Sequence, residues 1–94
     1  MVQPQVFIAQ LASDGRSDAV HALHTLRRAG VRTVLYPEVS KLKKQLKHAA
    51  ELGVSFVMMA GEDERAQNVW TVRNMDSGEQ SVIPLPEAVG LLKG

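Results

Sequence analysis

The chain has 94 residues, 45% of them hydrophobic and 22% charged, a balance that fits one globular domain and not a disordered segment. It contains no cysteine, which excludes disulfides, a thiol nucleophile and thiolate metal sites. Eleven Lys and Arg against ten Asp and Glu leave a formal net charge of +1, so a charge-driven partner must be read from placement and not from the total. The first residues, MVQPQVFIAQLASDG, lack a basic segment followed by a long apolar one, so no secretory signal is expected. The longest apolar run, residues 56–61, is too short to span a bilayer, and a cytoplasmic location is expected.

Residues 5–11 (QVFIAQL) predict a first strand, followed by a polar loop, SDGRS, at 13–17. Ser17 or Asp18 is the expected cap of a helix reaching Ala29, with Ala19, Val20, Leu23 and Leu26 on one face and Gly30 as its stop. Residues 31–36 (VRTVLY) predict a second strand closed by Pro37. Ser40 is the expected cap of a second helix over 41–52, which buries Leu42, Leu46 and Ala49 and ends at Gly53. Residues 54–60 (VSFVMMA) are nearly all apolar, as a central strand covered on both faces must be. This alternation predicts a parallel α/β arrangement with right-handed crossovers. After Gly61 the period changes to two. Residues 69–74 (VWTVRN) and 80–83 predict a hairpin turning through MDSGE, with Gly78 in the left-handed position. Pro86 suits the first turn of a terminal helix over 87–92.

The strongest chemical signal is the second helix. Lys41, Lys43, Lys44 and Lys47 fall in its first half with no acid among them. Cations there oppose the helix dipole and repel one another, each effect amounting to about 0.2–1 kcal/mol. A polyanion reverses the sign of both. A solvated lysine face is the plain alternative. In open α/β sheets ligands gather at the carboxyl ends of the parallel strands, which here carry Ser13 to Arg16, Pro37 to Ser40 and Gly61 to Glu64. Other chemistry is poorly supplied. His21 and His24 lack a third metal ligand, Glu62 to Glu64 lack a partnered base, and no glycine-rich phosphate fingerprint occurs.

Residues 41–85, KLKKQLKHAAELGVSFVMMAGEDERAQNVWTVRNMDSGEQSVIPL, resemble the C-terminal anticodon-binding domain of histidyl-tRNA synthetase, a class II aminoacyl-tRNA synthetase. The upstream VHALHTLRRAGVRTVLYP resembles the family's first helix and second strand. The resemblance implies a three-layer α/β/α fold with a five-stranded mixed sheet of order 2-1-3-4-5, strand 4 antiparallel to the rest. It implies one anticodon-binding domain over residues 1–94, a fragment or C-terminal tail of a longer synthetase that lacks the catalytic domain. Its function is then recognition of the anticodon stem-loop of the histidine tRNA, and the isolated domain is not an enzyme. The parent, a histidine--tRNA ligase and a homodimer by resemblance, uses ATP and Mg2+ in its catalytic domain. No cofactor, catalytic residue or metal site is expected in this domain, and no membrane partner. Matching positions imply Arg16, Glu38, Ser40, Lys41, Lys44 and Glu62 as the RNA-binding set. Lys41 and Lys44 are expected on phosphates, with Arg16, Glu38 and Glu62 on base edges or orienting neighbours. A stand-alone paralogue serving protein interaction or regulation is the alternative reading.

Overall fold

A computed structural model describes residues 5–93. Residues 1–4 and 94 of the single domain expected over 1–94 lie outside them. The elements run β1 (Val6–Ile8), α1 (Arg16–Arg28), β2 (Thr33–Leu35), α2 (Leu42–Leu52), β3 (Phe56–Met59), α3 (Glu62–Ala66), β4 (Val69–Asn74), β5 (Gln80–Pro84) and α4 (Leu85–Lys93). The sheet order is β2-β1-β3-β4-β5. Strand β1 is parallel to β2 and β3, while β4 is antiparallel to β3 and β5, as the family resemblance implied.

Alternation along β1 divides the core. Val6 and Ile8 face α1 and α4, where they meet Ala19, Ala22, Leu26, Met58, Trp70, Val72, Ala88 and Leu92. Phe7 and Ala9 face the α2 side with Tyr36, Ala49, Val54, Val57 and Met59. Two helices thus cover one face and one covers the other. Strand β3, between β1 and β4, is buried from both sides, which accounts for its unbroken apolar sequence. The 75–79 turn is held by Gly78 N–H on the Asn74 carbonyl at 2.8 Å, with Gly78 at φ +78°, a conformation that L side chains rarely adopt.

Strands β1, β2 and β3 are shorter than the 5–11, 31–36 and 54–60 expected, and the helix boundaries differ for local reasons. Helix α1 begins at Arg16, ahead of the Ser17 and Asp18 caps, because a 3-10 turn over Ser13–Gly15 feeds directly into it. The acidic stretch after Gly61, where the sequence reading places no helix, is the start of α3. There Glu64 Oε1 reaches back to the Gly61 N–H at 3.4 Å, and three acids complement the helix N-terminus. Helix α4 starts at Leu85, so Pro86 still falls in its first turn.

Candidate nucleic-acid interface

The carboxyl ends of β1, β2 and β3 leave the sheet on one edge, and specific bonds fasten the segments that follow. The Ser40 N–H donates to the Gln10 carbonyl at 3.3 Å, drawing the segment before α2 against the end of the first strand. Gln45, one turn into α2 and fully buried, completes this junction. Its Oε1 accepts from the Gln10 N–H at 2.8 Å, and its Nε2 donates to the carbonyls of Gln10 at 2.7 Å and Ser40 at 2.8 Å. The Gln10 side chain in turn donates to the Tyr36 carbonyl. On the third segment, Arg65 of α3 pairs with Asp14 at 3.2 Å and lies across Gly15, which ties α3 to the turn before α1.

The six predicted residues divide on this frame. Glu38 and Lys44 are brought together as an ion pair at 3.6 Å, each side chain 63% exposed, so the pair stabilises the fold by at most about 1 kcal/mol. Ser40 is not the cap of α2. That position belongs to Lys41, whose ammonium can only donate, and no side chain caps the helix. Ser40 instead serves through its backbone, as donor to Gln10 and acceptor from Gln45. Arg16 opens α1 and Glu62 opens α3, both exposed on the same edge. Among the described residues, the side chains of Arg16, Lys41 and Glu62 make no hydrogen bond or ion pair. Lys43 and Lys47 are exposed beside Lys44, so the whole lysine set faces solvent.

Gln45 is the site residue that the sequence reading missed. It lies three residues after Leu42 and four before Ala49, on the stripe that α2 turns inward. A polar residue in an apolar stripe is the signal that marks it, since a buried amide needs partners. A separate concavity of about 580 Å3 opens between α1, α4 and β4, lined by His21, Arg65, Asn68, Trp70, Leu85 and Val89 among others. None of the six predicted residues lines it. Among the described residues no group of three or more His, Cys, Asp or Glu is placed to hold a metal ion, and no helix is long and apolar enough to cross a membrane.

An α/β/α sandwich that gathers a cationic helix start and three strand ends on one edge fits a nucleic-acid-binding class of domain. The family described as an anticodon binding domain matches residues 5–94, and the chain belongs to that family. Among its relatives, a histidine--tRNA ligase of Finegoldia magna is 40% identical over 76 residues, covering 81% of this chain and 18% of the relative. The histidine--tRNA ligase of Bacillus velezensis is 36% identical over 87 residues, covering 93% of this chain and 20% of its own. The chain therefore spans about a fifth of the length of the curated relatives it matches. Of solved structures, apo histidyl-tRNA synthetase from S. aureus superposes with a TM-score of 0.87 at 30% identity, over 98% of this chain and 24% of that one. Histidyl-tRNA synthetase from Nostoc sp. PCC 7120 gives a TM-score of 0.93 at 25% identity, over 98% and 22%. The RNA binding domain of threonyl-tRNA synthetase from Cryptosporidium parvum, at 17% identity and a TM-score of 0.89, shares the fold.

Proposed function

We propose that this chain binds the anticodon stem-loop of a histidine tRNA, as one domain over residues 1–94 of a histidyl-tRNA synthetase. The observation that carries the reading is the uncapped, lysine-bearing start of α2, set among the strand-end segments of a domain whose relatives are histidine--tRNA ligases. Lys41 and Lys44 contact phosphates, which position the RNA without reading it. Arg16 and Glu62 take base edges. Glu38, paired with Lys44, orients that lysine and hands it to a phosphate on binding. Ligation of histidine, with the ATP and Mg2+ it consumes, belongs to the remainder of a homodimeric cytoplasmic enzyme. No step of it is assigned to residues of this chain.

The test is a salt-series titration of the cognate stem-loop and of one with altered anticodon bases. Lys41→Ala with Lys44→Ala weakens both complexes almost equally and lowers the salt slope by up to roughly 0.7–0.9 for each phosphate that is no longer neutralised. Glu62→Ala instead narrows the gap between the two loops by about 1–3 kcal/mol, a scale borrowed from base contacts in duplex DNA. Wild-type affinity and slope in the folded double lysine variant overturn the reading.

A further inference from the structure

We infer that Gln45 is a positioning residue for RNA recognition: its buried amide sets the lysine-bearing start of α2 in register with the end of β1 and the 37–41 segment. The inference rests on the function proposed above and concerns a residue that never touches RNA. Helix starts are commonly fastened by a capping side chain, which occupies one of the first-turn N–H groups. Here the cap position carries Lys41 and no side chain performs that task. Gln45 does the fastening from below. All three of its bonds, at 2.7–2.8 Å, go to backbone atoms of other segments, Gln10 N–H, Gln10 C=O and Ser40 C=O. The helix start is therefore fixed without any side chain using its own free N–H groups, which stay available to an anion alongside the lysines.

The arrangement is also exacting. An amide presents an acceptor and a donor on one plane, and Gln45 uses both against the two polar groups of a single residue, Gln10, while reaching Ser40 with the second hydrogen of the same nitrogen. A carboxylate in that place retains an acceptor for the Gln10 N–H but sets negative charge against two carbonyl oxygens. A thioether of similar length supplies no donor at all. Neither substitute bonds the Ser40 carbonyl, which leaves the segment before Lys41 tied to Gln10 by the Ser40 N–H alone. A buried apolar residue at position 45 would pack as well. What the glutamine adds is register.

The experiment uses the 94-residue chain with Gln45→Met and Gln45→Glu, each measured below its melting midpoint and scaled to the folded fraction by circular dichroism. Lysines displaced with the helix start hold the phosphates out of register with Arg16 and Glu62, the residues proposed to read bases, so the cognate to altered-anticodon affinity ratio is expected to fall about tenfold or more, the scale of one misplaced base contact. The salt slope is expected to stay close to wild type, since every lysine is retained. Lys41→Ala with Lys44→Ala gives the reverse pattern, a lowered slope with the ratio kept. Gln10→Met is the structural control. It removes the bond to the Tyr36 carbonyl but leaves the backbone atoms that Gln45 uses, so it lowers the melting temperature and keeps the ratio. A folded Gln45 variant with the wild-type ratio overturns the positioning role and leaves the proposed function standing. A wild-type chain that does not distinguish the two loops overturns the proposed function, and the inference with it, before any variant is compared. A readout on the unmodified protein covers variants that fail to fold. The Gln45 side-chain amide protons should exchange with solvent far more slowly than those of the exposed Gln67, and equal exchange overturns the junction itself.

Discussion

The two faces of the sheet are held by different means. Beneath α1 and α4, contact is almost wholly apolar, with Leu26, Leu92, Ile8 and Met58 buried to 2% exposure or less. Beneath α2 the core is smaller, and its fully buried helix residues are Ala49 and a glutamine. Apolar packing is non-directional and tolerates small slides, whereas an amide bonded to three backbone atoms fixes one register. The face that carries the candidate interface is thus the one secured by directional bonds, and the larger apolar core lies on the other.

That contrast predicts where substitutions hurt, and how. Leu26→Ala, on the apolar face, is expected to cost about 2–5 kcal/mol of unfolding free energy in urea titrations, because a fully buried side chain leaves a cavity. RNA discrimination by the folded fraction should be unchanged. Gln45→Met is expected to cost about 1–3 kcal/mol, since it orphans buried backbone groups without opening a large void. A greater loss there than at Leu26 would reverse the comparison. Gly78→Ala belongs to neither face. A Cβ there meets nothing within 4 Å, so only the left-handed backbone resists it, at about 1–2 kcal/mol in thermal melts. The smallest effect is expected at Lys44→Ala. Loss of its exposed pair with Glu38 and relief of repulsion at the helix start oppose one another, leaving stability within about 0.5 kcal/mol of wild type.

Much of this was legible before the fold was seen. Residues 69–74 are the expected strand, left-handed Gly53 closes α2 and left-handed Gly78 sits in the hairpin turn as expected, and the change of period after Gly61 coincides with the turn to antiparallel pairing. Those features are written in local spacing. Helix α3 was not legible because five residues are too few to show a period, and its start depends on one side chain folding back to Gly61. Of the candidate site, the lysines and the sheet edge were legible, since helix position and parallel topology place them. Gln45 was not, because two of its three bonds go to Gln10, just past the end of β1 and 35 residues earlier. Ser40 was misread for a related reason. Its residue type favours a cap, yet its backbone is drawn toward Gln10, which moves the helix start one residue on.

The bond from Gln5 Nε2 to the Leu92 carbonyl, 2.8 Å long, joins residues 87 positions apart. The chain enters and leaves the fold almost at one point. Gln5 precedes β1 and Gln10 follows it, and a strand rises about 3.3 Å per residue, so this point lies roughly 16 Å from the junction built on Gln10. A host protein can therefore carry the domain as a pendant, hung from one edge of the sheet with the opposite edge turned outward. The same proximity suits circular permutation: a short linker across Gln5 and Leu92 with new ends opened in the 75–79 turn should leave both cores and the lysine edge undisturbed.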